Sequence, residues 1–335
     1  MGIPPTGRSG LVWFVIGLLL LVGAVYLLSR VRRGSDAKPQ DESPAGAAGW
    51  DFPIEIRDAL HRQVVLERRP KRIVSLSPSI TEILFAIKAE DRLIAVTPFC
   101  EFPPEARALP KVGGESGWNV EFLRKLNPDL LLASIIVPPD TVQALESAGI
   151  KTAVFRHAGM QGTLQDIEVI GRITGSTQES KRLLEQIDLR RRTLQERVRQ
   201  KVKQRGHPRT LLLYGLDGYF SAGKGTFAGE ILEFAGGQNV AALVPGDWPQ
   251  LSLEFIIRED PQVLILAEGY GNTARHRTQE DITQIKQDPK WHFLSAVRSE
   301  RIYLMEDQLL SIPGPRMIEA AEKVFAMLFP AVSTP

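Results

Sequence analysis

The sequence predicts an α/β protein with mostly parallel sheets flanked by helices, set behind an N-terminal transmembrane helix. Three observations carry this expectation. Short buried-type strands alternate with helices on both sides of the chain's midpoint, the pattern of parallel sheets covered on both faces. Between the two alternating halves, residues 177–204 read as one unbroken helix. Near the start, residues 11–29 form a run of 19 without a charge, from Leu11 to Ser29.

The long helix has a capping-box signature in Ser176 and Glu179. Leu183, Leu184, Ile187, Leu194, Val198 and Val202 recur on one narrow stripe, and Gly206 with Pro208 ends the pattern. At 1.5 Å per residue its length is roughly 42 Å, longer than a small domain is wide. Such a rod serves equally to join two lobes or to run through one continuous bundle.

Composition narrows the function. The chain has 335 residues and a net charge of only +2, so nothing global points to nucleic acid. The single cysteine, Cys100, excludes an internal disulfide and any Cys-rich metal site. His61, His157, His207, His276 and His292 show no ligand spacing, and no metal or cofactor is expected.

In chain order, residues 1–10 are a tail and 11–29 a transmembrane anchor, long enough and apolar enough to cross the hydrocarbon layer. Leu27, Leu28, Ser29 and Arg30 follow where a cleaved signal would place small residues, and no cysteine is near to carry a lipid. Arg30, Arg32 and Arg33 against Arg8 lean mildly toward an unexported body, so export rests on later residues. Residues 30–50 are a flexible linker, in which Gly34 to Gly49 is dominated by Ser, Pro, Ala, Gly, Asp and Glu and has no aliphatic residue larger than Ala.

The span 51–160 reads as an N-terminal α/β lobe. It opens with a hairpin around Asp58 and the strand 72–76, followed by a helix with Ser79 and Glu82 as a second capping box. Strands at 93–96, 130–133 and 152–155 alternate with helices at 119–126 and 138–148. Connecting helices fill 161–206, beginning at 164–174. A C-terminal α/β lobe, 207–335, has strands at 210–214, 219–221, 263–266 and 302–304, and helices at 226–235, 253–258, 279–287 and 315–328.

Two segments echo each other at an offset of 133: Asn119-Val-Glu-Phe-Leu-Arg-Lys-Leu-Asn-Pro-Asp-Leu-Leu-Leu132 and Ser252-Leu-Glu-Phe-Ile-Ile-Arg-Glu-Asp-Pro-Gln-Val-Leu-Ile265. The match puts Glu121 and Glu254 in register, one per lobe. Each glutamate also complements the positive end of its own helix, which by itself explains one carboxylate at that place.

Arg72-Ile-Val-Ser-Leu-Ser-Pro-Ser-Ile-Thr-Glu82, Phe102-Pro-Pro-Glu105, Val112-Gly-Gly114, Leu126-Asn-Pro-Asp-Leu130 and Gly229-Glu-Ile-Leu-Glu-Phe-Ala-Gly-Gly-Gln-Asn239 follow in order. Together they resemble the helical-backbone substrate-binding proteins of ABC importers, nearest the cobalamin- and ferric-siderophore-binding members. The resemblance runs from about Ile54 to Leu328. It implies two lobes bridged by one long rigid α-helix, with ligand held in the cleft, and a monomer rather than an enzyme. It places the family's permease-docking glutamates on Glu121 and Glu254, which would engage an ABC transporter permease dimer. It also implies a soluble body in the periplasm or extracytoplasmic space. The retained anchor departs from the cleaved signal or lipid of many relatives.

For the ligand, the resemblance implies cobalamin or another metal chelate, held by aromatic walls from both lobes. Phe102 and Trp248 match the family's aromatic positions, and Trp118, Phe220 and Tyr270 are further candidates. A siderophore would call instead on cations, for which Lys224, Arg275 and Arg316 are placed. The basic run at Arg190, Arg191 and Arg192, continued by Arg197, Arg199, Lys201 and Lys203, has no aromatic interleaving and reads as a solvated helix face. Gly223-Lys-Gly-Thr226 lacks the full phosphate-loop spacing.

Overall fold

The computed structural model describes residues 52–113, 117–214, 216, 218–268 and 279–331. The expected transmembrane segment 11–29, the linker 30–50 and Tyr270 lie outside the described residues. Among the described residues no helix is long and apolar enough to cross a membrane. Residues 51–335 form one compact unit.

The unit opens with the hairpin β1 (Ile54–Arg57) and β2 (Gln63–Leu66), paired antiparallel. Asp58 shapes its turn, its Oδ1 accepting from the backbone N–H groups of Leu60 and Arg62 at 3.0 Å each. Then come β3 (Ile73–Ser75), α1 (Pro78–Ala86), β4 (Leu93–Val96), α2 (Val120–Lys125), β5 (Leu130–Ser134), α3 (Pro139–Ser147) and β6 (Thr152–Phe155). These four strands form a parallel sheet in the order β4-β3-β5-β6. Helix α4 (Gly159–Thr174) leads to α5 (Thr177–Arg205), the rod of 29 residues.

Beyond the rod the order is β7 (Arg209–Leu213), α6 (Phe227–Phe234), β8 (Gln238–Asn239), α7 (Leu253–Glu259), β9 (Val263–Glu268), α8 (Gln279–Gln287), α9 (Ser295–Arg298), β10 (Ile302–Glu306), α10 (Asp307–Ser311) and α11 (Met317–Leu328). The second parallel sheet runs β10-β9-β7-β8. Counted from its own first strand, each sheet has the same strand order, second-first-third-fourth.

The sequence echo has a structural counterpart inside this repeat. Asn119 and Ser252 cap α2 and α7, each side chain accepting from the backbone N–H three residues on. Asn127 and Asp260 end the two units with positive φ, 46° and 41°, a conformation these short polar residues tolerate. Arg72 donates to the carbonyls of Leu126 and Asn127, and Arg209 to those of Glu259 and Asp260. In both lobes, one arginine at the start of the first strand satisfies the open carbonyl end of the same helix.

Alternation along the strands sorts side chains into three cores. Ile73, Leu130 and Leu132 of the first sheet, and Leu212, Val263 and Ile265 of the second, face one central core. Ile83 and Leu84 of α1, Ile167 and Ile170 of α4, and Ile231 of α6 complete it, and Ile187 and Leu194 of the rod are buried in it. Val74, Leu131 and Ala133 face a first outer core under α2 and α3, and Leu211, Leu213, Leu264 and Leu266 a second under α7 and α8. The expected stripe of the rod holds, with Leu183, Leu184, Val198 and Val202 packed on the central core's edge. The rod crosses α4 closely: a Cβ on Gly171 would overlap the Ser180 side chain.

Three local expectations are corrected. Ser176 makes no side-chain cap; Gly175 turns left-handed at φ 67° and the backbone alone closes the corner between α4 and α5. Ser79 and Glu82 form no capping box, because Pro78 takes the first helical position, Ser77 becomes the N-cap and Ser79 lies two residues inside the helix. Residues 219–221 form only isolated bridges, Leu213 with Ser221 and Phe220 with Gln250.

Candidate functional site

In open parallel sheets, ligands lie in the crevice outside the carboxyl ends of the strands. Large apolar side chains are exposed there in both lobes. Phe99 and Phe102 follow β4, and Ile135 and Ile136 follow β5, with Ile136 84% exposed. Phe220 and Trp248 project from the second lobe, 45% and 51% exposed. The two edges meet: Gln308 of α10 donates to Glu101 beside Phe102 at 2.9 Å.

On the second lobe, two loops are laced into one platform. Tyr214 N–H donates to the Phe220 carbonyl at 2.9 Å, Gly223 N–H to Asp247 at 2.8 Å, and Ser221 N–H to Pro249 at 3.1 Å. Gly223 is required because the Gly246 carbonyl occupies the space a Cβ would fill. Trp248 and Tyr214 pack T-shaped, ring centroids 5.1 Å apart at 80°. That contact orients the half-exposed Trp248 ring.

On the first lobe, Phe102 forms the wall of a groove of about 570 Å³ that also takes in Phe85, Pro315, Glu82, Arg190 and Arg316. That volume is in the range of small-molecule sites. Arg316 reaches in from the head of α11, its Cζ 3.8 Å above the Phe102 ring. Its Nε donates to Glu82 Oε2 at 3.0 Å and its Nη2 to Oε1 at 2.5 Å. Burial pushes the Glu82 carboxyl above its usual range, and the Arg316 hydrogen bonds offset only part of that.

The fold brings some expected residues together and separates others. Phe102 and Arg316 share the groove, while Phe220 and Trp248 share the platform of the other lobe. Trp118 is half-buried against the first outer core, its ring lying over Gly113. Lys224 is exposed in the turn before α6. Phe99, Ile136 and Glu82 were not anticipated; Phe99 and Ile136 had a signal, since both stand at the carboxyl end of a predicted strand.

Glu121 and Glu254 are exposed in the first turns of α2 and α7, each entering the third strand of its sheet. Glu121 Oε2 is 4.0 Å from Arg124. The Glu254 carboxyl is held below its usual range by its own backbone N–H and by the Ser252 hydroxyl. Cys100 is buried against the hydroxyls of Thr81 and Thr97, at 3.2 and 3.1 Å, and burial pushes its thiol up. A thiol so held is protonated and a poor nucleophile. Among the described residues, no group of three or more His, Cys, Asp or Glu is placed to hold a metal ion.

Comparison with known proteins gives this geometry its family. The family model described as periplasmic binding protein matches residues 73–309. An uncharacterized ABC transporter substrate-binding lipoprotein of Bacillus subtilis is 28% identical over 315 residues, 92% of this chain and 96% of its own. A vitamin B12-binding protein of Photorhabdus laumondii is 29% identical, covering 77% of this chain and 88% of its own. The structure of a periplasmic heme-binding protein from Roseiflexus sp. RS-1 superposes with a TM-score of 0.66 at 26% identity, over 77% of this chain and 97% of that one. The matched span takes in both sheets, the rod between them and the edges where the aromatic residues stand, and the chain belongs to the periplasmic binding protein family, in its class with a helical backbone.

Proposed function

We propose that this protein captures a corrinoid, cobalamin-like ligand in the cleft between its lobes and delivers it to an ABC importer. The observation that carries the reading is the exposure of large aromatic side chains at the carboxyl ends of both parallel sheets, Phe102 on one lobe and Phe220 and Trp248 on the other. Flat aromatic walls suit a large planar macrocycle. The likeness to the vitamin B12-binding protein supports the same ligand class.

Glu121 and Glu254 dock the body on the permease dimer. Their equivalent places in two lobes of one topology give two separated carboxylates in a fixed relation, which sets register and encounter rate. Residues 11–29 hold the monomeric body at the outer face of the cell membrane. The Bacillus relative is named a lipoprotein, whereas Cys100 is buried in the fold, so the apolar segment takes the tethering role. The protein binds and hands over its ligand without chemical turnover.

The test is a titration of residues 51–335 with cyanocobalamin, followed by tryptophan fluorescence and by calorimetry. Saturable binding at micromolar or tighter supports the corrinoid; no binding to folded protein refutes it. A second reading, haem or a ferric siderophore, is favoured by the heme-binding structural neighbour, and the same titration with those ligands decides between them.

A further inference from the structure

Arg316 belongs to the second lobe by sequence, yet its guanidinium lies among first-lobe groups. It is forked onto Glu82 through two hydrogen bonds and stacked on Phe102. The Glu82 side chain is only 3% exposed and that of Arg316 14%. The turn before α11 closes on the same carboxylate: a Cβ on Gly314 would meet Glu82 Oε2 at 3.0 Å. A guanidinium laid on an aromatic ring at the wall of a groove is well formed to receive a carboxylate from a flat ligand. Here the protein's own carboxylate already occupies it.

We infer that Glu82 is a resident competitor for Arg316, which weakens the binding of chelates bearing carboxylates at their rim relative to planar chelates without them. The inference rests on the reading that a flat chelate lies between the lobes against Phe102. A ligand carboxylate must displace an intramolecular one held at high effective concentration. Displaced, Glu82 finds only Arg190 as another cation among the described residues lining the groove, and Arg190 is already paired with Glu322 at 2.7 Å. Glu319 faces it from α11, and the other charged groups lining the groove are Glu90 and Glu105 of the first lobe and Arg190 of the rod. The freed carboxylate would have to take up a proton or remain buried and unpaired. A macrocycle lacking rim carboxylates stacks on Phe102 and leaves the pair in place.

The experiment compares coproporphyrin, a planar macrocycle with rim carboxylates, with cyanocobalamin. Both are titrated into the full chain in detergent as wild type, Glu82→Gln and Glu82→Gln/Arg316→Met. Glu82→Gln should tighten coproporphyrin about tenfold or more, a factor equal to 1.4 kcal/mol, while cyanocobalamin stays within about threefold. The double variant should lose the gain. Unchanged coproporphyrin affinity in Glu82→Gln, an equal gain for both ligands, a gain that survives loss of Arg316, or no coproporphyrin binding at all would each overturn the inference. Failure of cyanocobalamin alone would remove the corrinoid reading and leave the competition standing. Should Glu82→Gln not fold, wild-type binding of coproporphyrin in buffers of different ionisation enthalpy carries the test: proton uptake is expected, and none overturns it.

Discussion

Replacing Arg316 with methionine removes a cation and leaves the apolar stem, so its effect isolates the charge on Glu82. Breaking a buried ion pair costs about 3–5 kcal/mol because the surviving charge is left uncompensated. The slight exposure of Arg316 argues for the lower end, about 3 kcal/mol near neutral pH. The pH dependence follows from the direction of the Glu82 shift. Its folded-state pKa already lies above the usual value of 4.5, so the folded state holds the proton more tightly than the unfolded one. The associated stability is present below 4.5 and is lost as pH rises through the folded pKa. Without Arg316 that folded pKa moves higher and the window of loss widens upward. The deficit of Arg316→Met should therefore grow as pH rises above the usual value of 4.5. Once the pH is low enough to protonate Glu82 in both proteins, the deficit should shrink to the lost hydrogen bonds and ring contact, about 1–2 kcal/mol. Urea denaturation followed by tryptophan fluorescence at several pH values measures it. A deficit that is flat across pH, or below 1 kcal/mol at neutrality, refutes the reasoning.

Four further outcomes are expected. Glu121→Ala and Glu254→Ala should leave ligand affinity intact while lowering uptake in cells, and unchanged uptake would reduce both to helix-end residues. Trp248→Ala should weaken ligand binding by about tenfold or more, the loss of one aromatic wall, as read by calorimetry. Gly171→Ala should destabilise the fold by about 1–3 kcal/mol through overlap with Ser180, and Gly171→Ala/Ser180→Gly should recover most of the lost thermal midpoint. Small-angle scattering should show a change in radius of gyration below about 1 Å on ligand addition, because the central core spans both lobes and resists hinge opening. A change of several ångströms contradicts that account.

The sheets and the rod were legible because periodicity is a local signal. The three-residue and four-residue spacing from Leu183 to Val202 gave the rod its buried stripe, and strands of Leu, Ile and Val gave sheets buried on both faces. The echo of Asn119–Leu132 with Ser252–Ile265 pointed to equivalent units and proved to extend to caps, left-handed residues and strand order. What stayed hidden depended on distant partners. Glu82 looked like part of a local cap, yet its partner lies 234 residues away. Trp118 read as a wall residue because its ring's seat over Gly113 is a matter of tertiary packing. The short strand expected at 219–221 carries suitable residues, but its hydrogen bonds go to a neighbouring loop rather than to a ladder.

The central core has a consequence for how the molecule comes apart. Its residues come from both sheets, from α1 before the rod and from α6 and α11 after it. Neither half of the chain can close that core alone, since each would leave its own share of the wall facing water. Heating should therefore give one calorimetric transition for residues 51–335, not two, and an incision within the rod should dissolve both halves together. Two lobes that repeat one topology thus melt as a single cooperative body.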